Sequence, residues 1–431
     1  RYARETVERV QEQTERCWLY GEQGDAFTTV IRPRFIDSAS YAEACRAATL
    51  VSRAFDLAAE RLRADRAARR QLGFPGYMEM FLELDLEHGG HGVVNRIDGL
   101  VTDDGAVKFL ECNGAPGLIT ESHELARLFE ALRVSRAFAE RYPYRVEPLY
   151  ELMLDTLVQV HRRRRGGPGR PHIGVLRRNL RMHQDSYHRW VTWMASRGCV
   201  VVLASADEFE YRQGRLLAAG VPVESIHLVD WMLLYDLERE VPPLCQALRD
   251  GAVWALPGLG LSTLKTYKHV LAVLTDPRTY PWFEGEVARA VRDHVPWTRV
   301  VREGMTEREG ERIDLLPYIE DHRDQLVLKA AGGTGGKQVT LGWTCDEAQW
   351  REALRRALRH PAVVQDAVRV TPRRYPAMEP DGKVALHEMY ADLAPFVRAD
   401  APAVAGAARV SPGPTLNTHS GASSVPTWIL Q

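Results

Sequence analysis

The chain has 431 residues, enough for two or three packed domains rather than one small core. Charged residues make up 26% and hydrophobic residues 45%, and the formal net charge of −1 gives no whole-chain attraction to nucleic acid or an anionic membrane. No stretch approaches the ~18 consecutive apolar residues that a bilayer span needs.

Residues 40–66 have the period of an amphipathic helix. Ser40 and Glu43 fit a capping box, and Tyr41, Ala44, Ala48, Val51, Phe55, Ala58 and Leu62 share one face. A strand-rich segment is expected from Tyr77 to Asn113, then a helix from about Glu121 to Tyr142. The run Arg162–Gly169, four arginines followed by glycines and a proline, reads as a domain junction and solvated linker, although a phosphate role for the arginines is conceivable. Beyond it the pattern alternates: His172–Leu176 as a strand, Gln184–Ser196 as a helix and Val200–Ala204 as a second buried strand, the start of a Rossmann-like layer. A dinucleotide fingerprint is missing, because Gly258-Leu259-Gly260 lacks the third glycine and does not follow the first strand. Leu326–Lys329 and Gln338–Leu341 read as strands around a glycine loop, Thr344 and Glu347 as the cap of a helix reaching about His360, and the rest from Val363 as strands and loops.

Within the strand-rich segment, Asp104-Gly105 is a hairpin signal, since a two-residue type I′ turn needs positive φ at both positions. With those two as the loop, Asp98 falls opposite Glu111 and Arg96 opposite Asn113, all on one face by period-two alternation. Two carboxylates directly opposite one another repel. A divalent cation between them would remove the repulsion, and two carboxylates plus an amide make an oxygen-rich set that suits Mg²⁺. Arg96 beside them could hold a phosphate or a substrate carboxylate. The alternative is a surface hairpin with a solvated polar face. Glu83, Asp85, Glu87, Asp103 and Asp104 read as solvated strand and turn residues. Cys112 alternates to the opposite face and reads as core, while His88 and His91 read as exposed loop residues, with metal binding or a base near the hairpin as the alternative.

The segment Lys329-Ala330-Ala331-Gly332-Gly333-Thr334-Gly335-Gly336-Lys337 places four glycines between two lysines. Bare backbone N–H groups there can close on phosphate oxygens, with a lysine at each end for charge. It is not a Walker A loop: Ala331 stands where the first glycine should be, and Gln338 follows Lys337 in place of Ser or Thr. A plain Gly-rich turn is the alternative.

Together these two constellations resemble the ATP-grasp superfamily, in particular its circularly permuted branch related to glutathionylspermidine synthetase. The R-x-D motif at Arg96-Ile97-Asp98 and the L-E-x-N motif at Leu110–Asn113 precede the glycine loop, the reverse of the usual ATP-grasp order. The resemblance extends over most of the chain. Leu264–His269 is similar to the first nucleotide-lysine region, with Lys268 as its lysine; Val295–Arg299 resembles a connector; Val364-Gln365-Asp366 resembles the hinge strand along adenine. Arg409-Val410-Ser411 and Leu416-Asn417-Thr418 resemble the closing strand and loop. Departures are Ala330, where the family more often has proline, and Ser420–Ser424, where a glycine pair is commoner.

The resemblance implies an α/β (α+β) fold: residues 1–165 as N-terminal helices plus a metal-binding β-lobe, 170–260 as a Rossmann-like preATP-grasp domain, and 261–431 as the nucleotide lobe. It implies ATP and one or two Mg²⁺ ions. Asp98, Glu111 and Asn113 would hold the metal; Lys268, Lys329, Gly332–Gly336, Lys337, Gln365 and Asp366 would bind the nucleotide; Arg96 and Arg409 would steady the transferring group. The implied activity joins a small carboxylate, an amino acid or short peptide, to an amine through an acylphosphate, with no nucleic acid or membrane partner. An ATP-grasp kinase and an ATP-binding sensor or scaffold remain alternatives, as does an unrelated α/β protein. The six cysteines are scattered without C-x-x-C spacing, and the first residues carry no apolar signal-peptide core, so a reducing cytoplasm is expected.

Overall fold

The computed structural model describes residues 3–16, 30–85, 94–114, 119–165, 169–176, 184–228, 237–256, 258–332, 338–379, 382–398, 401–417 and 421–431. Among them, no helix is long and apolar enough to cross a membrane.

The first part of the chain builds a hairpin on a helical base. Strand β1 (Arg34–Asp37) leads into helix α1 (Ser38–Ala64). Asp37 caps that helix, its carboxylate accepting from the amides of Ala39 and Ser40, so the expected Ser40–Glu43 box is replaced by an N-cap one turn earlier. The expected apolar face is the buried one, from Tyr41 to Leu62. Tyr77–Asp85, expected within a strand-rich segment, is helix α2. Its buried residues Met78, Phe81 and Leu82 follow a helical spacing, and they pack where an alternating strand could not reach. Strands β2 (Val94–Val101) and β3 (Val107–Asn113) form the expected hairpin, and α3 (Ile119–Ala131) follows. The helix expected to reach Tyr142 stops at Ala131 and restarts as a separate helix over Arg133–Ala139.

Helix α4 (Leu149–Arg165) contains the arginine run expected as a linker. Arginine is a good helix former, and cations in a last turn suit the C-terminal end of the helix dipole. Arg164 lies over the Trp254 ring. Next come β4 (His172–Leu176), α5 (Gln184–Ser196), β5 (Val200–Ala204), β6 (Ser225–Leu228) and β7 (Trp254–Leu256). Their sheet is wholly parallel, in the order β7-β6-β4-β5.

Two short helices, α6 (Gly260–Thr266) and α7 (His269–Leu274), lead to a four-stranded antiparallel sheet. It comprises β8 (Thr298–Val300), β9 (Leu326–Ala330), β10 (Val339–Leu341) and, after helix α8 (Glu347–Arg359), β11 (Ala362–Asp366). The order is β8-β11-β9-β10. Helix α8 is capped reciprocally by Asp346 and Gln349 rather than by Thr344 and Glu347. The chain ends in β12 (Val384–Ala391), β13 (Pro395–Arg398), β14 (Ala407–Ser411) and β15 (Ser423–Leu430). Strand β13 adds to the free edge of β2, while β14 pairs with β12 and β15, and β15 with β1 in parallel.

One core cluster joins the hairpin to the helices beside it, while the parallel sheet and the four-stranded antiparallel sheet pack around cores of their own. Ile97, Phe109 and Cys112 point from the hairpin into a cluster with Ala48, Val51 and Phe55 of α1 and with Leu264 and Val270 of α6 and α7. Arg96, Asp98, Glu111 and Asn113 then lie on the other face, while Asn95 turns inward to Ser52 of α1.

Candidate active site

The hairpin register is the foundation of the site. Asp98 pairs with Glu111 and Arg96 with Asn113, as the turn signal implies, but by a different route. Val101 pairs with Val107, so the turn is one residue longer than expected. Thr102 accepts from the Gly105 amide at 2.9 Å, and Gly105 has φ of +86°. This is a three-residue loop with glycine at the left-handed position. A register shift between Asp98 and Gly99 then inserts Leu110 and restores the pairing beyond it. Turn and bulge offset one another.

Asp98 is almost wholly buried, at 4% exposure. Arg96 grips it with two donors, Nε to Oδ1 at 2.6 Å and Nη2 to Oδ2 at 2.9 Å. Asn113 Nδ2 donates to Oδ2 at 2.9 Å, and Arg409 Nη2 from β14 lies 2.8 Å from the same oxygen. Burial alone would raise the Asp98 pKa, but Arg409 and Arg96 outweigh it and hold the carboxyl well below the usual carboxylate range. Arg409 is itself fixed by Asp392, which accepts from both its backbone N–H and its Nε. Burial raises the Asp392 pKa, against the pull of Arg409.

The two lysines arrive from the other side. Lys268, between α6 and α7, places Nζ 3.2 Å from Glu111 Oε2. Its backbone N–H donates to Ala331 O at 2.9 Å, which ties it to the root of the glycine loop. Lys265, the neighbouring candidate, is committed elsewhere: its Nζ lies 2.7 Å from Asp56 of α1. Lys329 on β9 donates to Gln365 Oε1 at 2.6 Å and reaches Leu110 O at 3.5 Å. Burial lowers the Lys329 pKa to about 8, with Glu111 opposing and Lys268 reinforcing the shift.

The close approach of α6 to the hairpin depends on Gly114. A Cβ there would stand 1.9 Å from Ser262 O, and the Gly114 amide donates to Thr266 Oγ1 at 3.0 Å. Gly114 thus has a packing reason to follow Asn113.

Other sequence candidates sit differently. The Gln365 side chain, buried, accepts from Lys329 and donates to Thr298 Oγ1 at 3.0 Å, so it positions the lysine. Asp366 pairs with Arg308 at 2.6 Å, and burial raises its pKa. Gly332 packs against the Tyr267 ring, 2.8 Å from where its Cβ would be. Gly333, Thr334, Gly335, Gly336, Lys337, His88 and His91 lie outside the described residues. Sequence reasoning missed Asp392, Arg308 and Thr298. A lone aspartate between Ala391 and Leu393 was the available signal for the first, Thr298 lay within the Val295–Arg299 connector without a role of its own, and nothing marked Arg308.

The carboxylate repulsion inferred from the sequence is answered here by side chains: Arg96 and Arg409 at Asp98, Lys268 at Glu111. Repulsion alone therefore does not require a metal ion. Among the described residues, no group of three or more His, Cys, Asp or Glu gathers as a metal site. The oxygen-only set of Asp98, Glu111 and the Asn113 amide still suits Mg²⁺, which commonly takes one or two carboxylates and completes its shell with water and phosphate oxygens. Such an ion would compete with the guanidinium groups for Asp98.

No protein-family model matches the sequence, and neither does any curated protein. Among solved structures, a glutathione synthetase-like effector from Globodera pallida in its apo form aligns over 100% of this chain and 98% of its own. The TM-score is 0.63 at 13% identity. A putative gamma-glutamylcysteine synthetase from Methylobacillus flagellatus aligns over 83% of this chain and 85% of its own, with a TM-score of 0.45 at 14% identity. The full-length match to the effector shows that this chain shares that protein's fold.

Proposed function

We propose that the chain is an ATP-dependent ligase that activates a carboxylate as an acylphosphate and passes it to an amine. The observation that carries this reading is the convergence on one hairpin face of an arginine pair, two carboxylates and two lysines from four separate parts of the chain. In this reading the chain is a circularly permuted ATP-grasp. Residues 1–165 supply the metal-binding lobe, 170–260 a Rossmann-like domain built on the parallel sheet, and 261–431 the nucleotide lobe.

Lys268 and Lys329 hold the ATP phosphates, and the glycine loop with Lys337 covers them. The β11 strand at Gln365 and Asp366 lies along adenine, with the Gln365 side chain fixing Lys329. Asp98, Glu111 and Asn113 would hold Mg²⁺, which would supply positive charge to neutralise the phosphates. A carboxylate oxygen of the substrate attacks the γ-phosphorus and ADP leaves. The amine nitrogen then attacks the acyl carbon, loses a proton, and phosphate departs with the carboxylate oxygen. Arg96 and Arg409 face the developing negative charge, pre-positioned by Asp98 and Asp392. No side-chain nucleophile takes part in this scheme.

Mixing the protein with Mg-ATP, hydroxylamine and pools of amino acids and short peptides tests the proposal. Equal amounts of ADP and hydroxamate are expected, and both should vanish in Glu111→Gln. Turnover to AMP, or ATP binding with no turnover under any acid pool, would count against it.

A further inference from the structure

Behind Lys329 a chain of buried polar side chains crosses three strands. Lys329 on β9 donates to Gln365 on β11, and the Gln365 amide donates in turn to Thr298 Oγ1 on the edge strand β8. Thr298 is wholly buried and Gln365 is only 1% exposed. The register sets Thr298 directly opposite Gln365, so the two form a cross-strand pair on one face of the sheet.

The direction of each bond follows from counting protons. The Thr298 hydroxyl has one, and it goes to Pro296 O at 2.9 Å. Its lone pairs then face Gln365 and accept from the amide nitrogen at 3.0 Å. With Nε2 turned to the threonine, the carbonyl oxygen is presented to Lys329, at 2.6 Å. A flipped amide would set N–H groups against an ammonium that has only donors. The strand that carries Thr298 is fixed as well. Its backbone N–H donates to Thr275 Oγ1 at 3.1 Å, and Thr275 caps the end of α7, the helix that Lys268 begins. Both lysines of the cleft are thereby tied to the position of one threonine.

The neutrality of the acceptor also matters. A carboxylate at position 365 would pair with the buried ammonium and cancel its charge, whereas an amide holds the ammonium and leaves its charge for an anion. We propose that Thr298 is a positioning residue, which orients the Gln365 amide and through it places the Lys329 ammonium for a phosphate oxygen of the nucleotide. The proposal rests on the reading of Lys329 as a phosphate ligand. Thr298 itself touches no substrate, and its effect passes through Gln365.

Calorimetric titration of the full chain with a non-hydrolysable ATP analogue in Mg²⁺, and separately with adenosine, tests this without requiring turnover. Thr298→Val keeps the shape of the side chain and removes the hydroxyl. It should weaken the analogue about five- to tenfold, the scale of one buried hydrogen bond, and leave adenosine, which has no phosphate, unchanged. Thr298→Ser keeps the hydroxyl and should bind the analogue like the parent, which separates the hydrogen bond from packing. In a Gln365→Met background, adding Thr298→Val should change analogue affinity by less than about twofold, because the residue it acts through is gone. A loss that persists in full in that background, an equal loss for adenosine, or a Thr298→Val variant that binds the analogue like the parent would overturn the proposal. Its failure is distinct from that of the ligase reading. Binding in the expected pattern without ADP release sinks the ligase and leaves the positioning role, while a parent that binds no analogue sinks both.

Discussion

Arg409 and Asp98 meet at 2.8 Å although they come from opposite ends of the sequence. The contact ties the closing strand β14 to the hairpin and brings a second guanidinium to the carboxylate that Arg96 already holds. Both partners are almost fully buried. A buried carboxylate facing two guanidinium groups works as their anchor, and its removal takes that counter-charge from Arg96 and leaves Arg409 with Asp392 alone. Asp98→Asn should therefore cost about 3–5 kcal/mol of stability. It should also lower ATP turnover by about 10²–10³-fold, the usual effect of losing one preorganised polar contact. Thermal melts alongside ADP release measure both. A variant that melts and turns over like the parent would contradict the anchoring role.

Lys268 and Lys265 separate function from fold within a single turn. Lys268→Met should raise KM for ATP at least tenfold, since Lys268 faces Glu111, and its own burial adds a loss of stability. Lys265→Met should leave that KM nearly unchanged and cost only stability, because Lys265 is buried against Asp56, and the loss should approach about 3 kcal/mol. Steady-state kinetics and urea midpoints on the two variants would decide it, and exchanged phenotypes would show the lysines to be assigned the wrong way round.

Lys329 gives the cleft a pH dependence. Its pKa is lowered from 10.5 to about 8 by burial. The folded chain thus releases its proton before the unfolded chain does, so this group makes stability rise with pH between about 8 and 10.5. Nucleotide affinity should move the other way, falling as pH passes about 8 and the ammonium is lost. Equilibrium binding of ATP from pH 7 to 9.5 should show the fall, and Lys329→Met should remove it. A flat profile in the parent would mean that Lys329 does not contact phosphate.

Much of this site was legible in the sequence because strand alternation is a strict rule. Once Asp104-Gly105 marked a turn, Asp98, Glu111, Arg96 and Asn113 had to share a face. The pairing came out right through two offsetting departures, a longer loop and a bulge at Leu110, neither of which composition announces. Helix α2 was misread because Met78, Phe81 and Leu82 form too short an apolar run to separate the helical period from a buried strand. The arginine run before Gly166 looked like a linker by composition, yet arginine also extends helices, and α4 uses it that way. Asp392, a lone aspartate between apolar neighbours, carried only a weak signal, because its importance is tertiary: it matters through Arg409, on another strand.

A buried histidine contributes to the acid sensitivity of the fold. His269, next to Lys268, packs between Phe74 and Tyr267, and burial together with Lys268 lowers its pKa from 6.5 to about 4. The unfolded chain takes up the proton first, so the group contributes stability that is whole above about 6.5 and lost as pH falls toward 4. His269→Phe should narrow the gap between urea midpoints at pH 7 and pH 5. His227, whose pKa is lowered in the same way, should leave some acid sensitivity behind. An unchanged gap would show that His269 titrates normally.

The acylphosphate is the centre of the account, and oxygen tracing reaches it most directly. The carboxylate substrate is labelled with ¹⁸O in both oxygens, turned over with Mg-ATP and amine, and the released phosphate is analysed by mass spectrometry. The account predicts one ¹⁸O atom in each phosphate and ADP as the nucleotide product, because the carboxylate oxygen that attacks phosphorus leaves with it. Unlabelled phosphate accompanying amide formation, or ¹⁸O recovered in AMP, would contradict it.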